Sequence, residues 1–356
     1  MPVGQDNLWL RFLRILGIGM FWLVVGLFTL WASAALYFDL PYTSLRAAAA
    51  AFFVLIVIAV ILSIKKHWLR MGVLLGCFAI VLAWWFSLQP SNNRSWQANV
   101  DRTAWAEVDC DRVTIHNLRN CDYRSEFDYK CQWKTKTVDL DQLRGGDIFF
   151  THWGSPWIAH PILSFQFGDN DHVAFSIETR NQIGKGYSAI RGFFRQYELI
   201  YIIADERDVV RLRTNYRTGE EVSLYHLKAG PIRGQAVFLE YIKRVNELHE
   251  HPEWYNALTS NCTTNLYEDV AAADGSSKKP WSVDLRLPLN GKDDEKAYAR
   301  GAIAGNLAFK ELQRRALINP TAQAADQSPD FSYLVRKGRP GFESNASSSP
   351  GDPMPK

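Results

Sequence analysis

Three runs, Ile15 to Tyr37, Ala47 to Ile64 and Met71 to Leu88, are almost free of charged residues, and each is long enough to cross a hydrocarbon layer of ~30 Å as a helix. A cleaved export signal would be one shorter apolar stretch ending in a small-residue cleavage site, so three in succession predict an anchor that stays in the mature chain. Lys and Arg in short flanking loops tend to remain in the cytoplasm. Arg11 and Arg14 precede the first run, and Lys65, Lys66 and Arg70 lie between the second and third, whereas the first loop carries only Asp39 and Arg46. The N-terminus is expected inside and everything after Gln89 outside. Trp84, Trp85 and Phe86 end the third run as an interfacial aromatic belt does.

Six of the 40 Lys/Arg and two of the 37 Asp/Glu fall in the first 89 residues, so the remainder is close to neutral. It lacks the clustered basic face of a nucleic-acid binder. Cys77 falls in the third run, and Cys110, Cys121, Cys131 and Cys262 fall in the exported part, where disulfides persist. One bridge among Cys110, Cys121 and Cys131 is expected, with its pairing open. The absence of a C-x-x-C pair or an H-E-x-x-H motif gives a metal site little support, and no cofactor is expected.

The sequence divides into an anchor (1–89), a linker and cysteine-containing segment (90–139), a folded domain (140–318) and a disordered Pro/Ser/Gly/Ala-rich tail (319–356). Leu143 to Phe150 is expected to be a turn feeding a hydrophobic strand, and further strands are expected at His160 to Phe167, His172 to Arg180, Leu199 to Ala204, Val209 to Thr214 and Glu221 to His226. Gly168-Asp169-Asn170-Asp171 marks a hairpin. Val237, Phe238, Tyr241, Ile242, Val245 and Leu248 recur at helical spacing within Arg233 to His249. Thr263 to Ala272 and Glu295 to Leu317 read as further helices. Strands followed by helices predict a segregated α+β domain.

The segment with most chemical content is Tyr255 to Tyr267. Thr259, Ser260 or Asn261 is placed to cap the following helix, which puts Cys262 in its first turn, where the helix dipole favours thiolate and unpaired N–H groups are able to hold an oxyanion. The alternatives for Cys262 are a small core residue or a disulfide partner. A nucleophilic cysteine needs an imidazole and a group to orient it. Burying Leu163, Phe165 and Phe167 with Val173, Phe175 and Ile177 fixes the hairpin register, and His160 then sits opposite or diagonal to Glu178. His172, six residues along the strand, lies ~20 Å from Glu178. Arg180 is an alternative ion-pair partner for Glu178, and Tyr255 and Asn261 are supporting candidates that could instead only shape the turn. The run containing Arg195, Glu198, Asp205, Glu206, Arg207, Asp208 and Arg213 reads as scaffold, because it holds no nucleophile.

Trp153-Gly154-Ser155-Pro156-Trp157-Ile158-Ala159-His160, Ser176-Ile177-Glu178-Thr179-Arg180, Phe194 to Tyr201, Asp205-Glu206-Arg207-Asp208, Leu212 to Asn215 and Asn261-Cys262-Thr263-Thr264 together resemble the bacterial envelope family named for the Lnb N-terminal periplasmic domain, over roughly residues 140 to 275. That family looks like a permuted NlpC-type papain-like fold, with the histidine strand before the cysteine helix. The resemblance implies an inner-membrane protein with a periplasmic thiol domain, catalytic Cys262, His160 and Glu178, and a thioester on Cys262 that passes a fatty chain to an amine. Lecithin:retinol acyltransferases share the permuted order, and the spacing of their two histidines keeps His172 as an alternative third residue.

Three functions compete. The first is a cysteine acyltransferase or acyl hydrolase acting on phospholipid or lipoprotein in the membrane, the second an NlpC-type peptidoglycan amidopeptidase, and the third a non-catalytic envelope protein. Presence of both Cys262 and His160 favours the first two.

Overall fold

A computed structural model describes residues 6–275 and 290–343. Two units emerge: Met1–Pro90 with Ser188–Gln196, and Ser91–Tyr187 with Tyr197–Lys356.

The first unit holds helices α1 (Asp6–Asp39), α2 (Arg46–Ser63) and α3 (His67–Ser87), all long and apolar enough to cross a membrane. At 1.5 Å per residue α1 is about 50 Å long, so it starts well before the apolar run that defines its span. Ala32, Phe53, Val57, Leu74 and Val81 form a small shared core, and the Phe28 and Phe78 rings stack with centroids 4.3 Å apart. Asp39 ends α1. Its carboxylate accepts hydrogen bonds from Trp85 Nε1 at 2.7 Å, Gln196 Nε2 at 2.7 Å and the Arg195 N–H at 3.2 Å.

The second unit is built on eight strands: β1 (Trp105–Asp109), β2 (Arg112–Tyr123), β3 (Tyr129–Asp139), β4 (Leu143–Trp153), β5 (Ser155–Phe167), β6 (Asp171–Arg180), β7 (Glu198–Ala204) and β8 (Glu220–His226). The sheet order is β1-β2-β7-β6-β5-β4-β8, with β3 also on β2. All pairings are antiparallel except a single parallel contact of β2 with β7. Odd-numbered residues of β5 and β6, including Leu163, Phe165, Val173 and Phe175, pack on α5 (Pro231–Glu250) and α6 (Cys262–Ala273). Even-numbered Ile162 and Ala174 face the other layer, formed by α4 (Glu206–Arg211), α9 (Asn319–Ala324) and α10 (Phe331–Arg336). The α5 stripe buries all six apolar residues expected from its spacing.

Three stretches differ from the sequence expectation. Trp105–Asp139, expected to be linker, forms β1 to β3 of the same sheet; β3 is largely exposed, so it carries few of the apolar residues that advertise a strand. Its cysteines resolve the open pairing, since Cys121 and Cys131 are cross-strand partners in a disulfide and Cys110 is free. Val209 to Thr214, expected as a strand, is the end of α4 and a π-turn (Leu212–Tyr216), started by Asp205, whose side chain accepts from the Arg207 N–H. Arg211 and Arg213 are buried there, which imitates an alternating strand pattern. The expected disordered tail folds up to Glu343: Phe331 and Val335 are fully buried, and Arg336 pairs with Glu206 and Asp147. The remaining tail positions lie outside the described residues. Glu295 to Leu317 is split into α7 (Asp293–Ala299) and α8 (Phe309–Ala316) across Gly301 and Gly305, both at positive φ.

Candidate active site

Strands β5 and β6 pair from Phe167↔Asp171 to Ile162↔Ser176 and then part. Pro161 has no N–H to continue the ladder. On the opened edge, Asn290 takes the place of a strand: its side-chain oxygen accepts the Ala159 N–H at 2.8 Å, and its Nδ2 donates to the Ala159 carbonyl and to Thr263 Oγ1. Gly291 follows, and a Cβ there would lie 2.2 Å from the Pro156 carbonyl oxygen, so only glycine permits so close an approach. Asn290 therefore ties the N-terminus of α6 to the strand that carries His160.

At that N-terminus Asn261 is the cap. Its Oδ1 accepts from the N–H groups of Thr263 at 2.9 Å and Thr264 at 3.0 Å, and Thr264 Oγ1 accepts the Asn261 N–H at 2.8 Å, a reciprocal capping box. Two first-turn donors are thus already used, which corrects the expectation of a general oxyanion hole there. The Cys262 N–H keeps no partner among the described residues. The half-buried Cys262 thiol is free, and its hydrogen-bond partner is Thr263 Oγ1 at 3.9 Å. Burial pushes the thiol up to about 11; the Thr263 hydrogen bond opposes this, Glu178 adds to it, and Arg213 opposes it. The sulfur thus lies within electrostatic reach of Glu178 and Arg213.

His160 and Glu178 come together on the parted strands. His160 Nε2 lies 2.8 Å from Ser176 Oγ and 3.4 Å from Glu178 Oε1, and Ser176 Oγ donates to Glu178 Oε1 at 2.6 Å. With its proton committed to Glu178, the serine oxygen accepts from His160, which fixes the Nε2–H tautomer and leaves the Nδ1 lone pair without a partner among the described residues. Burial, followed by the Arg213 charge, lowers the His160 pKa, so the ring is neutral at neutral pH. Burial alone would raise Glu178, but the imidazolium that His160 forms in acid and the Arg213 guanidinium outweigh it and hold the carboxyl well below its usual range. Arg213 donates to Glu178 at 2.9 Å and to Glu220 at 3.3 Å. Imidazole and thiol are not hydrogen-bonded to each other.

The other candidates fall as follows. Tyr255 is buried near the sulfur and hydrogen-bonds Tyr187; burial, and next the sulfur's charge, raise its pKa. His172 pairs across from Gln166 at the far end of β6, and burial lowers its pKa. It is not part of the cluster. Arg180 turns away from Glu178, donating to the Val100 and Asp101 carbonyls and to Asn92, with its guanidinium over Trp96. Arg213, which the sequence reading assigned to scaffold, fills the place considered for Arg180. Ser176 and Asn290 were missed. The Asn290-Gly291 dipeptide advertises only a turn. Among the described residues no three His, Cys, Asp or Glu are gathered to hold a metal.

Membrane-crossing helices joined to an α+β domain that gathers a cysteine, a histidine and a glutamate define a membrane-anchored protein with a candidate thiol site. Residues 129–291 match the family model of the Lnb N-terminal periplasmic domain. The match ends on the Asn290-Gly291 pair. It marks a membrane-associated protein of the cell envelope with a periplasmic domain. No curated protein and no solved structure matches the chain.

Proposed function

We propose that Cys262 takes an acyl group from a lipid or lipoprotein and passes it to an amine or to water. The observation that carries this reading is the free Nδ1 of His160, whose other nitrogen is held by Ser176 and Glu178 at the strand edge to which Asn290 ties the cysteine helix. His160 Nδ1 receives the thiol proton, and the sulfur attacks the acyl carbonyl carbon with the Cys262 N–H on the developing oxyanion. As the tetrahedral intermediate collapses, the C–O bond to the leaving alcohol breaks and His160 returns the proton to that oxygen. An amine or water then attacks the thioester, the C–S bond breaks, and the thiol is regenerated. Thiol and imidazole must close to hydrogen-bonding distance as substrate binds, as catalytic contacts often do.

Acyl rather than peptide substrates are favoured by an apolar cavity of about 580 Å³ running along α6, lined by Ile148, Phe150, Phe165, Leu266 and Val270. Cys262, Leu266 and Val270 recur every four residues and so share one stripe of the helix. Lys228, Arg233 and Arg300 line the same cavity together with Asp274 and Asp293, so its rim is polar and of mixed charge. The N-terminus is assigned to the cytoplasm and the domain to the periplasmic face of the inner membrane. Intact-mass analysis of the purified chain with a thioester-reactive lipid probe tests the reading. An adduct lost in Cys262→Ser supports it. No adduct on a thiol that alkylating reagents show to be free overturns it, and turnover of muropeptides would then transfer the same chemistry to peptidoglycan.

A further inference from the structure

Within the first unit, the segment Ser188–Gln196 is fastened to the ends of the membrane helices. Gln196 Nε2 donates to the Phe38 carbonyl at 2.8 Å and to the Asp39 carboxylate at 2.7 Å, and the Arg195 N–H donates to the same carboxylate. The Arg195 guanidinium donates to the Leu88 carbonyl and lies over the Trp85 ring, 4.3 Å from its centroid. Phe194 is buried against Phe38, ring centroids 5.0 Å apart. Phe38 and Asp39 close α1, and Leu88 follows the last residue of α3, so these contacts fix the segment at the level where the chain leaves the hydrocarbon.

The segment then turns. A 3₁₀ turn, Arg191–Phe193, is closed by the Gly192 N–H on the Ser188 carbonyl and the Phe194 N–H on the Arg191 carbonyl. It leaves Ile190 64% and Phe193 48% exposed, with the exposed Arg191 between them. Two large apolar side chains flanking an arginine, held by their backbone at the edge of a bilayer, match what an interfacial segment needs: apolar groups for the acyl boundary and a cation for lipid phosphate.

We propose that the turn Ala189–Phe193 is a membrane-interface wedge, with Ile190 and Phe193 seated at the headgroup–acyl boundary of the outer leaflet and Arg191 on the phosphates. The occupant of this exposed patch is the lipid surface itself. The proposal is independent of any thiol chemistry.

The test uses the full chain with Cys77→Ala, Cys110→Ser, Cys262→Ser and Ile190→Cys, labelled at residue 190 with an environment-sensitive nitrobenzoxadiazole. It is reconstituted in vesicles of phosphatidylcholine and phosphatidylglycerol. A lipid bearing a doxyl group near its carbonyl end should quench the label at least about twofold more strongly than aqueous iodide does. Phe193→Glu in the same background should expose the label and reverse that ratio. Iodide quenching equal to or stronger than lipid quenching in the parent label would overturn the proposal.

Discussion

Asn290 is hydrogen-bonded across the backbone of Ala159, accepting its N–H and donating to its carbonyl, at the place where Pro161 has ended the β5–β6 ladder. An edge of β5 that would otherwise be an unpaired strand is completed by one side chain, whose third bond goes to Thr263 beside the thiol. Sequence-distant pieces, the histidine strand and the cysteine helix, are brought into one place by this link.

Removing the link should cost stability and position together. Asn290→Ala leaves a buried N–H and carbonyl unpaired, which costs roughly 2–4 kcal/mol. Gly291→Ala should act similarly, because its methyl would collide with the Pro156 and Trp157 backbone. Thermal unfolding of the detergent-solubilised chain should show both losses, and acyl-adduct formation should fall further than unfolding alone explains. An Asn290→Ala variant with unchanged unfolding and unchanged adduct would remove Asn290 from this role.

Glu178 and Arg213 should have opposite effects on thiol ionisation and shared effects on chemistry. The thiol is pushed up to about 11, Glu178 contributing to the rise and Arg213 opposing it. Below that value alkylation by iodoacetamide should climb about tenfold per pH unit, since the thiolate is the reactive form. Glu178→Gln should quicken alkylation a few-fold at fixed pH and Arg213→Met should slow it. If Glu178 orients His160, the same Glu178→Gln change should slow acyl transfer by about a hundredfold. Parallel changes in the two assays would show that Glu178 acts only through the thiol's charge.

Much of this arrangement was legible in the sequence because burial leaves a period. The alternation in β5 and β6 gave the register that sets His160 across from Glu178, and the α5 stripe and the cap before Cys262 follow from spacing and side-chain chemistry. What stayed hidden rests on pairs distant in sequence. Arg119 is buried because Asp208 meets it at 2.7 Å, and Arg336 because Glu206 and Asp147 do; a charged residue carries no mark of a partner a hundred positions away. Strand β3 was hidden by the exposed polar residues around its few buried ones, and α10, at six residues, is too short to show a helical period.

Acid should weaken the fold in two steps. The folded-state pKa of His160 lies below 6.5 and that of Glu178 well below 4.5. In both cases the unfolded chain binds the proton more readily, so each contribution is complete above the unfolded value and is lost as pH falls through the folded one. The His160 share should fade below about pH 6.5 and the Glu178 share below about pH 4.5. Thermal midpoints measured across pH 2 to 8 should fall on the acid side. His160→Gln should flatten the upper part of that fall and Glu178→Gln the lower part, and an unaltered profile in both variants would refute the assignment.

The C-terminal helix offers a sharper test of stability. Arg336 donates to Asp147 at 2.8 Å and to Glu206 at 2.5 Å, with all three side chains buried, and the arginine holds the Glu206 carboxyl below its usual range against the opposing effect of burial. Arg336→Met would leave two carboxylates buried without their cation, a loss of roughly 3–5 kcal/mol. A chain ended before Phe331 would lose in addition the fully buried Phe331 and Val335 side chains, each contributing roughly 1.5–3 kcal/mol. Limited proteolysis should therefore leave residues up to Arg336 protected in the parent chain and open the sheet domain to cleavage in both variants. Equal protease resistance in all three would mean that α10 does not support the domain.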